Sequence, residues 1–143
     1  MPFKFLEDIA IADIAFEVEA KDLPQLFKDA AAAFLAIQVN NPGKVKAVEY
    51  SKIGLANREI DILLYKFLQE LVYLKDVKSL LLRVKAIDVR QSSEGFSLDA
   101  KMEGETLDPK RHDQRADVKA VTFHCLEVKK TGAGYHATVI VDV

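Results

Sequence analysis

The sequence predicts an α+β fold, in which two helices pack on a largely antiparallel sheet. Two segments carry apolar residues at the three-to-four spacing of a helix that buries one face. After residue 78 the spacing changes to two, which is typical of strands. Short turns at residues 92–95 and 131–134 and a polar loop at 104–115 join these later strands as successive hairpins. We therefore predict the order β-α-β-α-β-β-β-β in a single two-layer domain that covers residues 1–143.

Length and composition are consistent with one soluble domain. The chain has 143 residues, of which 50% are hydrophobic, and this is enough to form one hydrophobic core. The formal charge of −2 produces no overall field that would attract nucleic acid or an anionic membrane. We therefore expect neither a membrane nor sequence-specific nucleic acid as a direct partner. The single cysteine and the lack of a signal peptide predict a cytoplasmic protein.

The first predicted strand covers residues 9–18 and precedes the first helix. It contains Asp13 among apolar neighbours. This carboxylate either faces solvent or is bound to a metal or a hydrogen-bond donor, because burying it without a partner would be costly. Asp22 is the expected N-cap of a helix that continues to Ile37.

The second helix follows a weakly alternating segment. Residues 44–53 predict a short edge strand. Asn57 is the expected N-cap of the helix, whose wide apolar stripe continues to Leu74. This stripe predicts a helix that packs on the core.

The second half of the chain predicts hairpin-connected strands. They cover residues 78–89, 96–103, 117–129 and 135–143. The third of these is apolar on both faces at its middle, so we expect a central strand covered on both sides. His124 and Cys125 are adjacent on it, and side chains of adjacent strand residues point to opposite faces. They therefore cannot form a nucleophile–base pair, and we expect a hydrogen-bonded histidine and a buried cysteine.

Charged groups in one loop and at the C-terminus are the candidates for chemistry. The loop over residues 104–115 contains Lys110, Arg111 and His112, which could contact a phosphate or an acidic partner, or form a solvated loop. Asp142 and the carboxylate of Val143 place two anionic groups side by side. A hard cation with oxygen ligands would neutralise them. The sequence contains no glycine-rich phosphate loop, GxSxG elbow, CxxC pair or HExxH motif.

Read together, several segments resemble the archease family of small cytoplasmic proteins associated with RNA ligation. They are Gly104-Glu105, Lys110-Arg111-His112, the DVKAVTFH segment at 117–124, the LLYKFLQELVY segment at 63–73 and the VIVDV ending at 139–143. One segment differs. The family's first strand usually begins His-Thr-Ala-Asp, whereas this chain has Ala10-Ile11-Ala12-Asp13.

The resemblance implies a non-catalytic protein that activates an RtcB-type RNA ligase, including in tRNA splicing. Such an activator promotes guanylylation of the ligase and allows multiple turnover. The resemblance also implies a divalent cation, Ca²⁺ or alternatively Mg²⁺, held by Asp13, Asp142 and the terminal carboxylate of Val143. We expect partner contacts at Lys110, Arg111, His112 and Lys119.

Two alternatives from other functional classes stay open. The first is a chaperone-like modulator of RNA- or DNA-modifying enzymes. The second is a metal-dependent hydrolase that uses the same carboxylates, with His112 or His124 as its acid–base group.

Overall fold

In the computed structural model, which describes residues 2–6 and 13–143, the chain forms two helices and two antiparallel sheets. The helices are α1 (Leu23–Gln38) and α2 (Ile60–Lys78). The strands are β1 (Phe3–Leu6), β2 (Asp13–Ala20), β3 (Glu49–Asn57), β4 (Leu80–Ser92), β5 (Gly95–Thr106), β6 (Ala120–Val121), β7 (Glu127–Lys130) and β8 (Tyr135–Asp142). One sheet has the order β1-β2-β8-β6, with β7 also paired to β8, and the other has the order β3-β5-β4. The predicted α+β class with two helices on antiparallel sheet is confirmed, and the sheet divides into two.

Helix α1 begins where the sequence predicts. The Asp22 carboxylate accepts a hydrogen bond of 2.9 Å from the Gln25 backbone N–H, which satisfies one of the free donors of the first turn. The helix ends before Val39, whose backbone is extended. Its apolar residues are buried in the core: Leu26, Phe27, Ala30, Ala31, Phe34 and Ile37.

Helix α2 begins two residues later than an N-cap at Asn57 would place it. The N-cap is Glu59, which makes no side-chain capping bond. Asn57 instead accepts a 2.9 Å hydrogen bond from the Glu59 backbone N–H, so it closes the turn before the helix. The predicted cap was therefore wrong by two residues, although the apolar stripe is buried as expected.

Both helices contact both sheets, so one hydrophobic core joins the elements. Helix α1 packs on β2 and β4, and α2 packs on β3, β5 and β6. In the part of the chain that the structure describes, neither helix has the length and apolar character needed to cross a bilayer.

Two strands of the first half differ from the prediction, and part of another predicted strand lies outside the described residues. Residues 3–6 form β1, which pairs antiparallel with β2 and was not predicted. The predicted strand over 44–53 is shifted, because residues 42–44 form a short 3₁₀ turn and β3 begins at Glu49. Of the predicted first strand, residues 9–12 lie outside the described residues.

The predicted long strand over residues 117–129 was wrong. Only Ala120–Val121 and Glu127–Lys130 pair with β8, and the residues between them form an exposed turn. Cys125 has a φ of 54°, in the left-handed region that interrupts a strand. Val121 pairs with Val141 and Glu127 pairs with Thr138, so five residues lie opposite only two of β8.

The additional residues of this turn extend over helix α2. Phe123 stacks on Tyr65, with 4.2 Å between the ring centroids and 23° between the planes. Phe123, His124 and Cys125 are all exposed, so the prediction of a hydrogen-bonded histidine and a buried cysteine was also wrong. Alternation in sequence could not show that β8 is too short to pair with the whole segment.

Candidate metal and partner site

Two acidic residues lie opposite one another at the end of the larger sheet. Asp13, the first residue of β2, pairs with Asp142, the last residue of β8. Directly paired residues of an antiparallel ladder point to the same face, with Cβ atoms roughly 5 Å apart. The structure therefore brings together two predicted ligands that are far apart in sequence.

The third predicted ligand and Lys119 lie at the same end. Val143 follows Asp142 directly and is half-buried, as are both aspartates. The Lys119 backbone N–H donates a 2.8 Å hydrogen bond to the Asp142 carbonyl, and Ala120 pairs with Asp142 on the side opposite Asp13. Asp142 is thus held between two strands, and Lys119, which is exposed, contacts it through the backbone. We call Asp13, Asp142 and Val143 the acidic end.

The donor chemistry of this end fits a hard divalent cation. Carboxylate oxygens are the ligands that Ca²⁺ and Mg²⁺ prefer. Within residues 2–6 and 13–143, no group of three His, Cys, Asp or Glu side chains is placed to hold a metal. The predicted site adds the carboxylate of Val143 to the two aspartates as its third anionic donor.

The loop predicted to contact a partner is instead anchored by an internal charge cluster. The carboxylate of Glu105, near the end of β5, pairs with the Arg111 guanidinium, and one of its oxygens accepts a 2.6 Å bond from the Lys46 backbone N–H. The same oxygen lies 3.1 Å from His112 Nε2. We call Glu105, Arg111 and His112 the loop clasp.

His112 has a structural role in this clasp. Its Nδ1 accepts a 2.8 Å hydrogen bond from the Asp108 backbone N–H, so the ring is neutral and Nε2 donates to Glu105. The side chain is 0% exposed. It therefore presents no surface to a partner, and the same clasp holds Arg111, which is about one-third exposed.

The cluster strongly favours the ionised carboxylate. The Arg111 hydrogen bond, aided by the bonds from Lys46 and His112 and opposed by burial, lowers the pKa of Glu105 to about 2. Glu105 reaches this position because Gly104 allows β5 to approach β4 closely: a Cβ at Gly104 would lie 1.8 Å from the Leu81 carbonyl oxygen. The Gly-Glu pair therefore builds the loop anchor.

Of the predicted partner contacts, Lys110 and Lys119 are exposed. They occupy different settings. Lys110 lies on the clasped loop, where its backbone N–H donates to Asp108. Lys119 lies next to the acidic end.

Comparison with known proteins gives a consistent assignment. Residues 3–143 match the archease protein family (MTH1598/TM1083). A protein archease of Saccharolobus islandicus is 34% identical over 141 residues, covering 99% of this chain and 98% of the relative. That of Pyrococcus abyssi is 31% identical over 133 residues, covering 92% and 93%.

The chain belongs to the archease family. The solution structure of Methanobacterium thermoautotrophicum protein 1598 is similar to it, with a TM-score of 0.85, 29% identity and 99% coverage of both chains. The crystal structure of a Thermotoga maritima archease, described as a possible chaperone, shares the fold with a TM-score of 0.62 and 15% identity, covering 92% of this chain and 91% of that one.

Two expectations from the sequence concern the replaced His-Thr pair of the first strand and a possible hydrolase activity. Ala10 and Ile11, which replace the family's usual His and Thr, lie outside the described residues. In the described part, no side-chain hydrogen bond joins Asp13 or Asp142 to His112 or His124. Since His112 is committed to Glu105, the hydrolase alternative lacks a free acid–base group at that histidine.

The outer face of the smaller sheet carries charged residues that sequence reasoning did not single out. Lys52, Lys85 and Lys101 lie at exposed positions of predicted strands. The signal was the polar parity of each strand, but their proximity depends on cross-strand register, which the sequence leaves open.

Proposed function

We propose that the protein activates an RtcB-type RNA ligase without joining RNA ends itself. Activation would promote guanylylation of the ligase and permit multiple turnover, for example in tRNA splicing, and we expect it in the cytoplasm. Family membership over residues 3–143 supports the proposal. The observation that carries it is the pairing of Asp13 with Asp142, next to the exposed Lys119.

We propose that Asp13, Asp142 and the carboxylate of Val143 hold a divalent cation, Ca²⁺ or Mg²⁺. When bound, the cation would supply positive charge that offsets the repulsion between the carboxylates. Asp13 comes from β2 and Asp142 from β8, so both proposed ligands are fixed by a ladder of eight residue pairs. Such a rigid support suits a site that must present a constant surface to a partner.

Partner contact would centre on Lys119. Its backbone is fixed by the bond to Asp142, while its side chain is exposed. Occupation of the acidic end would therefore leave a positive group directly before β6, free to meet a carboxylate or phosphate of the partner. Lys110 offers a second exposed cation, whereas the buried His112 does not.

Reconstitution tests the activation. Purified protein is mixed with an RtcB-type ligase, RNA ends and GTP, and both ligase guanylylation and the number of turnovers are measured. We expect Lys119→Ala to reduce activation about tenfold or more, as loss of a charged contact costs roughly 1.5–3 kcal/mol. The matched control is Lys78→Ala, an exposed lysine at the end of α2. Absence of any gain with the unmodified protein would reject the proposal.

Calorimetric titration with Ca²⁺ and Mg²⁺ tests the metal separately. Asp13→Ala, and a chain with one residue appended after Val143, should each bind the cation at least tenfold more weakly, because one anionic donor is lost or displaced. Glu94→Ala, in the exposed loop between β4 and β5, is the control. Unchanged affinity in either variant would exclude that donor.

A second candidate function is chaperone-like modulation of RNA- or DNA-modifying enzymes. The Thermotoga maritima protein is described as a possible chaperone. In this chain Tyr73, Val77 and Phe123 are more than half exposed, and surface aromatic residues are enriched at protein interfaces. Suppression of aggregation of several unrelated modifying enzymes, with no effect on the ligase, would favour this function.

A further inference from the structure

A row of lysines crosses the outer face of the β3-β5-β4 sheet. Lys52 on β3 pairs directly with Lys101 on β5. On β4 the register shifts between Val84 and Ala86, so Lys85 is the extra residue of a β-bulge beside the position opposite Lys101. All three lysines are exposed. We call them the lysine row.

The bulge directs Lys85 to the same face as the other two lysines. Its Nζ lies 5.2 Å from the centroid of the Tyr50 ring on β3, two strands away. Tyr50 pairs with Glu103, which in turn pairs with Arg83. The side chain of Lys85 therefore extends over the sheet surface, with the exposed ring of Tyr50 beside it.

The lysine row differs from the other cations of this face. Arg83 pairs with Glu103 at 3.0 Å, and Arg90 pairs with Asp88 and Asp99 at 2.6 and 2.5 Å. Within the described ranges 2–6 and 13–143, the three lysines form no salt bridge. The described ranges contain every residue of the β3-β5-β4 sheet. Like charges directly opposite one another destabilise a sheet. An anion on this face would relieve that repulsion.

A shallow depression lies beside the lysine row. It has a volume of about 440 Å³, and Lys52 and Lys101 are among its lining residues. The lining also includes Gly54, which has no side chain, and Ala86, so part of the backbone is uncovered. Asp88 and Asp99 line it too, and both carboxylates are paired with Arg90.

We propose that this face binds single-stranded RNA without sequence specificity, with its phosphates on the lysine row. Three lysines on adjacent strands span roughly 10 Å, which exceeds what a single phosphate ion needs and suits a backbone that carries repeated charges. Tyr50 provides an aromatic surface for a base, because stacking tolerates any sequence. The oxygens of Asp88 and Asp99 can accept hydrogen bonds from ribose 2′-hydroxyls.

The lysine row is a local feature within a chain of net charge −2, so binding would depend on the face and not on the whole molecule. It also goes beyond ligase activation, since neither the ligase nor the metal is needed for it. Failure of the ligase assay and failure of RNA binding would therefore be separate results.

Fluorescence anisotropy with a labelled 12-nucleotide oligouridylate tests the proposal on the full chain. We expect binding in the micromolar range at low salt, with log Kd rising at a slope of about 2 against log salt for three phosphate contacts. The triple variant Lys52→Gln, Lys85→Gln and Lys101→Gln should bind at least tenfold more weakly. The matched control changes three other exposed lysines, Lys66, Lys78 and Lys130, to Gln and should change Kd less than twofold.

Further binding measurements distinguish single-stranded RNA from DNA and from small phosphate anions. Tyr50→Leu should weaken binding about fivefold or more, which corresponds to the loss of one stacked base. The oligodeoxyuridylate should bind more weakly than the RNA, and inorganic pyrophosphate should not compete at equal phosphate concentration. Equal affinity of RNA and DNA, or effective competition by pyrophosphate, would overturn the assignment to RNA.

Thermal unfolding of each variant shows whether it is folded, so that a loss of RNA binding can be separated from a loss of structure. Removal of three like charges should leave the melting temperature of the triple variant equal to or above that of the unmodified protein at low salt. No binding by the unmodified protein, or equal weakening in both triple variants, would overturn the proposal.

Discussion

The loop clasp and the acidic end of the larger sheet place carboxylates in opposite settings. In the clasp, Glu105 is about one-tenth exposed and is bonded to Arg111, His112 and a backbone N–H. At the acidic end, Asp13 and Asp142 face one another across paired strands, with no cationic side chain bonded to either within the described residues.

This difference separates structural charge from charge that is available to a ligand. A buried carboxylate with matched donors stabilises the fold and has no capacity left for a partner. Two adjacent carboxylates without a counter-charge repel one another, and a bound cation relieves this repulsion. The same contrast distinguishes Arg83 and Arg90 from the lysine row on the smaller sheet.

The largest effect on the free energy of unfolding is expected when the negative charge of Glu105 is removed from the loop clasp. Glu105→Gln keeps the shape of the side chain but leaves the Arg111 cation without its counter-ion. We expect the free energy of unfolding to fall by about 2–3 kcal/mol, because charged hydrogen bonds are lost at a poorly exposed site. Urea denaturation measures this. Glu127→Gln, whose carboxylate pairs with Lys129 on the surface, should change it by less than about 1 kcal/mol.

Acid should remove the same contribution. Because the folded pKa of Glu105, about 2, lies below its ordinary value of 4.5, its stabilisation is fully present above pH 4.5 and is lost as pH falls toward 2. The stability difference between the unmodified protein and Glu105→Gln should therefore shrink over this range. A difference that stays constant between pH 6 and pH 2.5 would show that the carboxylate is not the group involved.

At the acidic end, removing a charge should have the opposite sign. Without divalent cation, Asp13→Asn should raise the free energy of unfolding by roughly 0.5 kcal/mol, since like charges directly opposite are destabilising. With saturating Ca²⁺ the order should reverse, because the unmodified protein gains binding energy. Denaturation in EDTA and in Ca²⁺ measures both. A loss of stability in EDTA would contradict the proposed repulsion.

The smallest effect is expected at the paired charges of the smaller sheet. Arg90 and both of its carboxylate partners are more than half exposed. Arg90→Ala should therefore change the free energy of unfolding only slightly, and any cost should decline in 1 M salt. Denaturation at two salt concentrations measures it. A cost as large as that of Glu105→Gln would mean that exposure does not separate weak from strong ion pairs here.

Sequence patterns predicted most of the fold. Helix α1 with its Asp22 cap, the apolar face of α2 and the β4–β5 hairpin follow from local periodicity and turn chemistry. The prediction of one strand over 117–129 was wrong. The segment alternates as a strand does, but only part of it pairs with β8. The predicted metal ligands are close together, although nothing in their spacing alone shows this.

By itself, the sequence determined the helices, the alternation of the strands and the residues by which the family is recognised. These depend on neighbours within a few positions, where side-chain period and capping act directly. Tertiary structure decided which charges meet: Asp13 with Asp142, Glu105 with Arg111 and His112, and Lys52 with Lys101. Register between distant strands sets these contacts, and register depends on packing of the whole core.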